Sequence, residues 1–209
     1  KLQDLNKTQL IILIISTNLI LRSFFFFSLD AYSLVYSDQT KYIGISEALL
    51  NNFNFKSHHI IQRVPLYPFF IFLIRSIIDN LLFVVLIQNL LGILSLYLIY
   101  NTCKIIDKKI SILTTLIYSF NLNIILYQNL IMTEAIFASF FVLSIFFLLK
   151  FLKKKNLKFL IYLSISLAIS ALIRPQLYYI FYLMFVIIFF LLNKSIKEKI
   201  KFFLIFTII

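Results

Sequence analysis

The sequence predicts an all-α polytopic membrane protein, and three observations carry that prediction. The chain is 62% hydrophobic, with a mean hydropathy of +0.99, more apolar surface than a 209-residue soluble domain could hide. Apolar runs recur at the length of about 20 residues that a roughly 30 Å hydrocarbon core requires. The lysines between those runs alternate so regularly that one face of the membrane receives nearly all of them.

Taken in order, membrane spans are predicted at about 9–29, 81–103, 110–121, 132–150, 159–174 and 176–192, with a seventh opening near 202 and running on from 209. The whole of 1–209 thus reads as one transmembrane domain. The third span is short and is open to extension into the Asn-containing stretch SFNLNIILYQNL. The first run is too long for a secretory signal and lacks a small-x-small cleavage site after it. A start at Lys1 and an end within the apolar run FFLIFTII make the chain the expected amino-terminal part of a longer one.

The breaks set the orientation. Lys1 and Lys7 precede the first span, and Lys104, Lys108 and Lys109 fill the next break on that side. Lys150, Lys153, Lys154, Lys155 and Lys158 follow, then Lys194, Lys197, Lys199 and Lys201. All share one face if the amino terminus is cytoplasmic. The opposite face receives the long stretch 30–80, the uncharged stretch 120–131 and the turn at Arg174-Pro175. Asp30, Asp38, Glu47, Asp79 and Glu134 also fall on or near it. Chemistry, if any, is expected outside.

Other classes are less well supported. A net charge of +12 suits phosphate backbones, but the basic residues lie in short anchoring breaks without a groove-reading motif, so no nucleic-acid partner is predicted. Cys103 is the only cysteine, which excludes an intramolecular disulfide and paired-cysteine metal spacings. His58 and His59 are adjacent in a loop and read as solvated, so no metal site is predicted and the cofactor question stays open.

The outer loop holds the candidates. Tyr42, Ile45, Leu49 and Phe53 repeat at helical spacing, predicting an interfacial helix over 38–53. Asp38 opens that helix and is either its N-cap or a carboxylate facing a cleft. Glu47 reads as part of a solvated face. Pro65 and Pro68 then start a new helix over an apolar stretch, 65–78, too short to span. Arg63, ahead of it, either snorkels to headgroups or grips a phosphate with its guanidinium fork. Glu134 lies at the outer mouth of the fourth span, where an ionisable group is costly unless paired or facing water; Arg22 and Arg174 are both available as partners. Arg22, inside the first span, is expected in an intramembrane ion pair or, failing that, on an anionic ligand. Arg174 is either a helix-end anchor or part of a site.

The order of these motifs is specific. SDQTKYIGISEALLN, RVPLYPFF, QNLLGILSLYLIY, LIMTEAIFASFF and LAISALIRPQLYYI together resemble the GT-C glycosyltransferases. The resemblance is nearest to bacterial relatives of protein O-mannosyltransferases and of the aminoarabinose transferase that modifies lipid A. It implies inverting transfer of a sugar from a polyprenyl-phosphate donor to a lipid, glycan or protein acceptor, on the periplasmic or outer face of a bacterial inner or plasma membrane. By the same resemblance Asp38 stands for the general base or the group that orients the acceptor, with Glu134 as the second acid. Arg63 and Arg174 stand for the donor-phosphate contacts, and Tyr42 and Arg22 are further candidates. The chain departs from the family at Gln39, where many relatives carry a second acid, and at Leu66, where a glycine is usual. The rival readings are a transporter or flippase of lipid-linked or small anionic substrates, and an enzyme of the O-antigen ligase or polymerase type. A transporter would favour polar residues and helix breaks near mid-membrane.

Overall fold

The structure is a computed structural model that describes residues 7–29, 36–52 and 64–191, together with 197 and 199. Among these residues every regular element is a helix. They are α1 (Lys7–Ser28), α2 (Ser37–Asn52), α3 (Leu66–Arg75), α4 (Leu81–Ile106), α5 (Ile110–Ser119), α6 (Leu122–Gln128), α7 (Thr133–Lys154), α8 (Leu157–Ile173) and α9 (Leu177–Leu191). Arg63, His58, His59, Phe53 and the run from 202 lie outside the described residues.

Local chemistry explains the boundaries. Asn80, Asn121 and Asn156 precede α4, α6 and α8, and each side-chain oxygen accepts a backbone N–H of the first turn. Such caps satisfy donors that a helix start leaves unpaired. Pro65 opens α3, where a missing N–H costs nothing. Arg174 ends α8 in an extended conformation, φ −140° and ψ 117°, the region that a following proline imposes. Lys155 ends α7 with φ 52°, and its N–H reaches Phe151 O at 2.7 Å.

Among the described residues, three helices are long and apolar enough to cross a membrane: Gln9–Ser28, Leu81–Ile106 and Thr133–Lys154. α5 and α6 pass the same test together, bent by 54° at the break between them. Large apolar side chains such as Ile20, Phe24, Phe27, Leu90, Leu94 and Ile117 point outward from these elements. Only lipid accommodates that surface. The molecule is an integral membrane protein. α8, with 17 residues, falls just short of that length and packs along α7. Ser144 Oγ and Ser166 Oγ meet at 2.9 Å across that seam, the close approach that small residues permit between membrane helices.

α2 is amphipathic in the sense its spacing implies. Tyr42, Ile45 and Leu49 are buried, and α2 packs on α3. The ring of Tyr42 meets that of Tyr67 edge-on, 5.0 Å between centroids. Glu47 is exposed, as a solvated face implies, and Arg75 of α3 approaches its carboxylate to 3.4 Å while also binding Asp79 at 2.7 Å.

Arg22 differs from expectation. Its partners among the described residues are neutral amides, not a carboxylate. Nε donates to Asn18 Oδ1 at 2.7 Å, and Nη1 donates to Asn89 Oδ1 at 3.1 Å and to Gln128 Oε1. Asn18 in turn donates to Ser119 O at 2.6 Å, at the end of α5. Oriented carbonyl dipoles replace the water that the guanidinium loses in the bilayer. They do so where the chain is broken and backbone groups also need partners. Gly92 of α4 lies against this knot: a Cβ there would stand 2.5 Å from Arg22 Nη1 and would also overlap the Gln128 amide.

Gly92→Ala is therefore expected to destabilise the protein. Overpacking costs about 1–3 kcal/mol, which outweighs the roughly 1 kcal/mol helix-propensity gain over glycine. Thermal unfolding in detergent should show a lower midpoint; a higher one would mean that the knot has room.

Candidate functional site

A cleft of roughly 240 Å³ opens where the start of α2, the start of α7 and the end of α8 converge. Asp38, Tyr42, Thr133, Glu134, Arg174 and Gln176 line it, with Val64, Met132, Ile173 and Pro175. The structure thus brings together four residues singled out from the sequence: Asp38, Tyr42, Glu134 and Arg174. Arg22 lies elsewhere, lining a separate apolar groove between α1 and α4 with Asn89. Val64, which follows Arg63, is a cleft residue.

Each polar group is placed by its element. Glu134 is in the first turn of α7, where a carboxylate complements the positive end of the helix dipole. Thr133 Oγ1 donates to Glu134 Oε2 at 3.1 Å. Arg174 follows α8, the negative end of its helix, which favours a cation. Its Nη1 lies 3.2 Å from Glu134 Oε1, and its guanidinium stands 5.6 Å over the ring of Phe137, one turn along α7. The choice between Arg22 and Arg174 as partner of Glu134 is thereby decided for Arg174.

Asp38 is the second residue of α2, so it lies inside the first turn and is not the N-cap. It retains the favourable dipole position. Lys41 Nζ stands 3.9 Å from Asp38 Oδ1 on a half-exposed surface, a pairing worth under about 1 kcal/mol. Gln39, at the departure from the two-acid pattern, is fully buried. Its Oε1 accepts the N–H of Tyr36 at 2.9 Å, so it holds the entry to α2 instead of facing the cleft.

Chemically, the cleft pairs one carboxylate with its one described guanidinium and presents a second carboxylate beside them. That set can contact an anion through Arg174 and accept a proton at Asp38. Thr133 and Gln176 were not singled out from the sequence. Each adjoins a residue that was, in MTEA and RPQ, and adjacency was the available signal.

The comparison with protein families turns this geometry into a class: an integral membrane glycosyltransferase of the GT-C type. The chain belongs to the dolichyl-phosphate-mannose-protein mannosyltransferase family, whose model matches residues 62–209. No curated protein and no solved structure matches. Glu134 and Arg174 fall inside the matched segment, whereas Asp38, Tyr42 and Arg22 precede it.

The Glu134–Arg174 pair is partly exposed, with side chains 26% and 32% accessible, so it adds little to stability. Glu134→Gln should leave the unfolding midpoint in detergent within a few degrees of wild type, a change of about 1 kcal/mol or less. A collapse of the fold would instead make the pair structural.

Proposed function

We propose that the protein transfers a sugar from a polyprenyl-phosphate donor to an acceptor hydroxyl at the outer face of the membrane, with inversion at the anomeric carbon. The observation that carries this reading is the convergence of Asp38, Glu134 and Arg174 on one cleft at the helix ends. The family match supplies the reaction type. The cleft lies at the Thr133 end of α7, whereas Lys153 and Lys154 close its other end, which supports an outer site by the distribution of positive charge.

In this reading the Asp38 carboxylate takes the proton from the acceptor hydroxyl as its oxygen bonds to the anomeric carbon. The bond from that carbon to the donor phosphate breaks on the opposite side, and its electron pair leaves with the phosphate. Arg174, held by Glu134, and Arg63 stabilise the charge that develops there. A donor with a polyprenyl tail stays in the bilayer, so a cleft at the membrane boundary is where its phosphate meets a polar acceptor. Glycan, lipid and protein acceptors all supply the hydroxyl that this chemistry needs.

Asp38→Asn should lower transfer by about 10²–10⁴-fold in the full-length protein while membrane insertion is unchanged. Near wild-type turnover would remove Asp38 from the mechanism. Arg63→Ala should raise the apparent KM for the lipid-linked donor or lower turnover. A change confined to acceptor kinetics would exclude the phosphate role.

A further inference from the structure

We infer that Gln88 of α4, joined to Tyr67 of α3, is a positioning residue that fixes Glu134 in the cleft; this rests on the role proposed above for Glu134. Gln88 and Tyr67 are both fully buried, beside the buried amides of Asn89, Gln128 and Asn129. A carboxamide there is costly unless every polar atom finds a partner, and Gln88 finds three. Its Oε1 accepts from the Tyr67 hydroxyl at 2.7 Å. Its Nε2 donates to Gln128 O at 3.2 Å and to Leu130 O at 2.8 Å.

Those two carbonyls bracket the break between α6 and α7. Gln128 ends α6, and α7 begins at Thr133 with Met132 extended before it, φ −136° and ψ 145°. The segment has only turn-type backbone bonds of its own, such as Met132 N–H to Leu130 O at 2.9 Å, with Asn89 Nδ2 also reaching Gln128 O at 3.4 Å, so side chains must supply the rest of its hold. The planar amide of Gln88 spans two carbonyls that are two residues apart, and so sets the level at which α7 starts. Glu134 comes four residues after Leu130. Tyr67 ties the same amide to the cleft wall, since its ring meets Tyr42, a cleft residue. Gln88 is neutral and is not among the cleft residues, so its influence is geometric. A misplacement of about 1 Å costs about 10²-fold in turnover when a reacting group must be aligned.

The test uses the full-length protein in liposomes with a polyprenyl-phosphate-linked sugar. Gln88→Met keeps the side-chain length and removes all three hydrogen bonds. Gln88→Glu, whose carboxylic acid form has the shape of the amide, retains an acceptor for Tyr67 and a donor for the Leu130 carbonyl. The Met variant should lose at least about tenfold in kcat, with the donor KM within about threefold, and the Glu variant should recover most of that loss. Amide hydrogen exchange over residues 130–135 should quicken in the Met variant and not in the Glu variant, while the Lys154 end of α7 exchanges as before. If the Met variant does not fold, Tyr67→Phe, which removes one hydrogen bond and almost no volume, should show the same changes to a smaller degree. Wild-type kcat in the variant that folds would overturn the inference, whether or not exchange quickens. Glu134→Gln, assayed alongside, separates the two readings. If it is inactive while Gln88→Met is fully active, positioning alone fails; if it is fully active, the role of Glu134 fails and the inference with it.

Discussion

The constraint on which the rest depends is that a membrane leaves no water for an interrupted backbone. α5, α6 and α7 follow one another with breaks at 120–121 and 129–132, and each break frees carbonyl and N–H groups that lipid cannot satisfy. The side chains that answer them come from neighbouring helices. Asn18 covers the end of α5, and Gln88 and Asn89 cover the end of α6, where Asn89 Nδ2 also reaches Asn129 Oδ1 at 3.0 Å. Arg22 lies among these amides and accounts for the glycine at position 92, whose missing side chain leaves the space they occupy. The expensive polar residues of the first and second long helices thus answer the breaks between α5, α6 and α7.

The bend also bears on the choice between an enzyme and a transporter. Broken helices and a charge at depth are features of transport sites. Here Arg22 borders an apolar groove between α1 and α4 but is only 3% exposed, and Asn18, Gln88 and Gln128 are equally inaccessible. These buried groups are engaged chiefly with one another and with backbone carbonyls. A set of more accessible polar groups lies in the cleft at the ends of α2, α7 and α8.

Much of this was legible in the sequence, for physical reasons. Hydropathy and lysine placement expose the class because burial in lipid and the charge asymmetry of loops act on every residue. Asp38, Glu134 and Arg174 could be read as neighbours because alternation of the spans returns all three to one side. Arg22 could not be read. The cost of a buried guanidinium announces a partner without naming it, and here three amides, one from its own helix and two from α4 and α6, stand where a carboxylate was expected. Glu47 is solvent-exposed as read, but its approach to Arg75 was not legible, because the packing of α3 on α2 is a long-range contact. The bend of α5 against α6 was not read, since the sequence offered only an extension of the third span into the Asn-containing stretch and the angle is a tertiary property.

The cleft is assembled from two parts of the chain with different attachments. Glu134 and Arg174 are bound to each other and belong to α7 and α8, which pack along their lengths. Asp38 belongs to α2, which packs chiefly on the short α3 through Tyr42 against Tyr67 and Arg75 against Glu47. The family match begins at residue 62, just ahead of α3. If Arg174 addresses the donor phosphate and Asp38 the acceptor hydroxyl, the two halves of the reaction reside on separately supported elements, and α3 sets their spacing. Tyr67 belongs to both supports at once: its ring meets Tyr42 on the acceptor side, and its hydroxyl reaches Gln88 and through it the start of α7. A single buried tyrosine thus links the carboxylate that would accept the proton to the pair that would hold the phosphate.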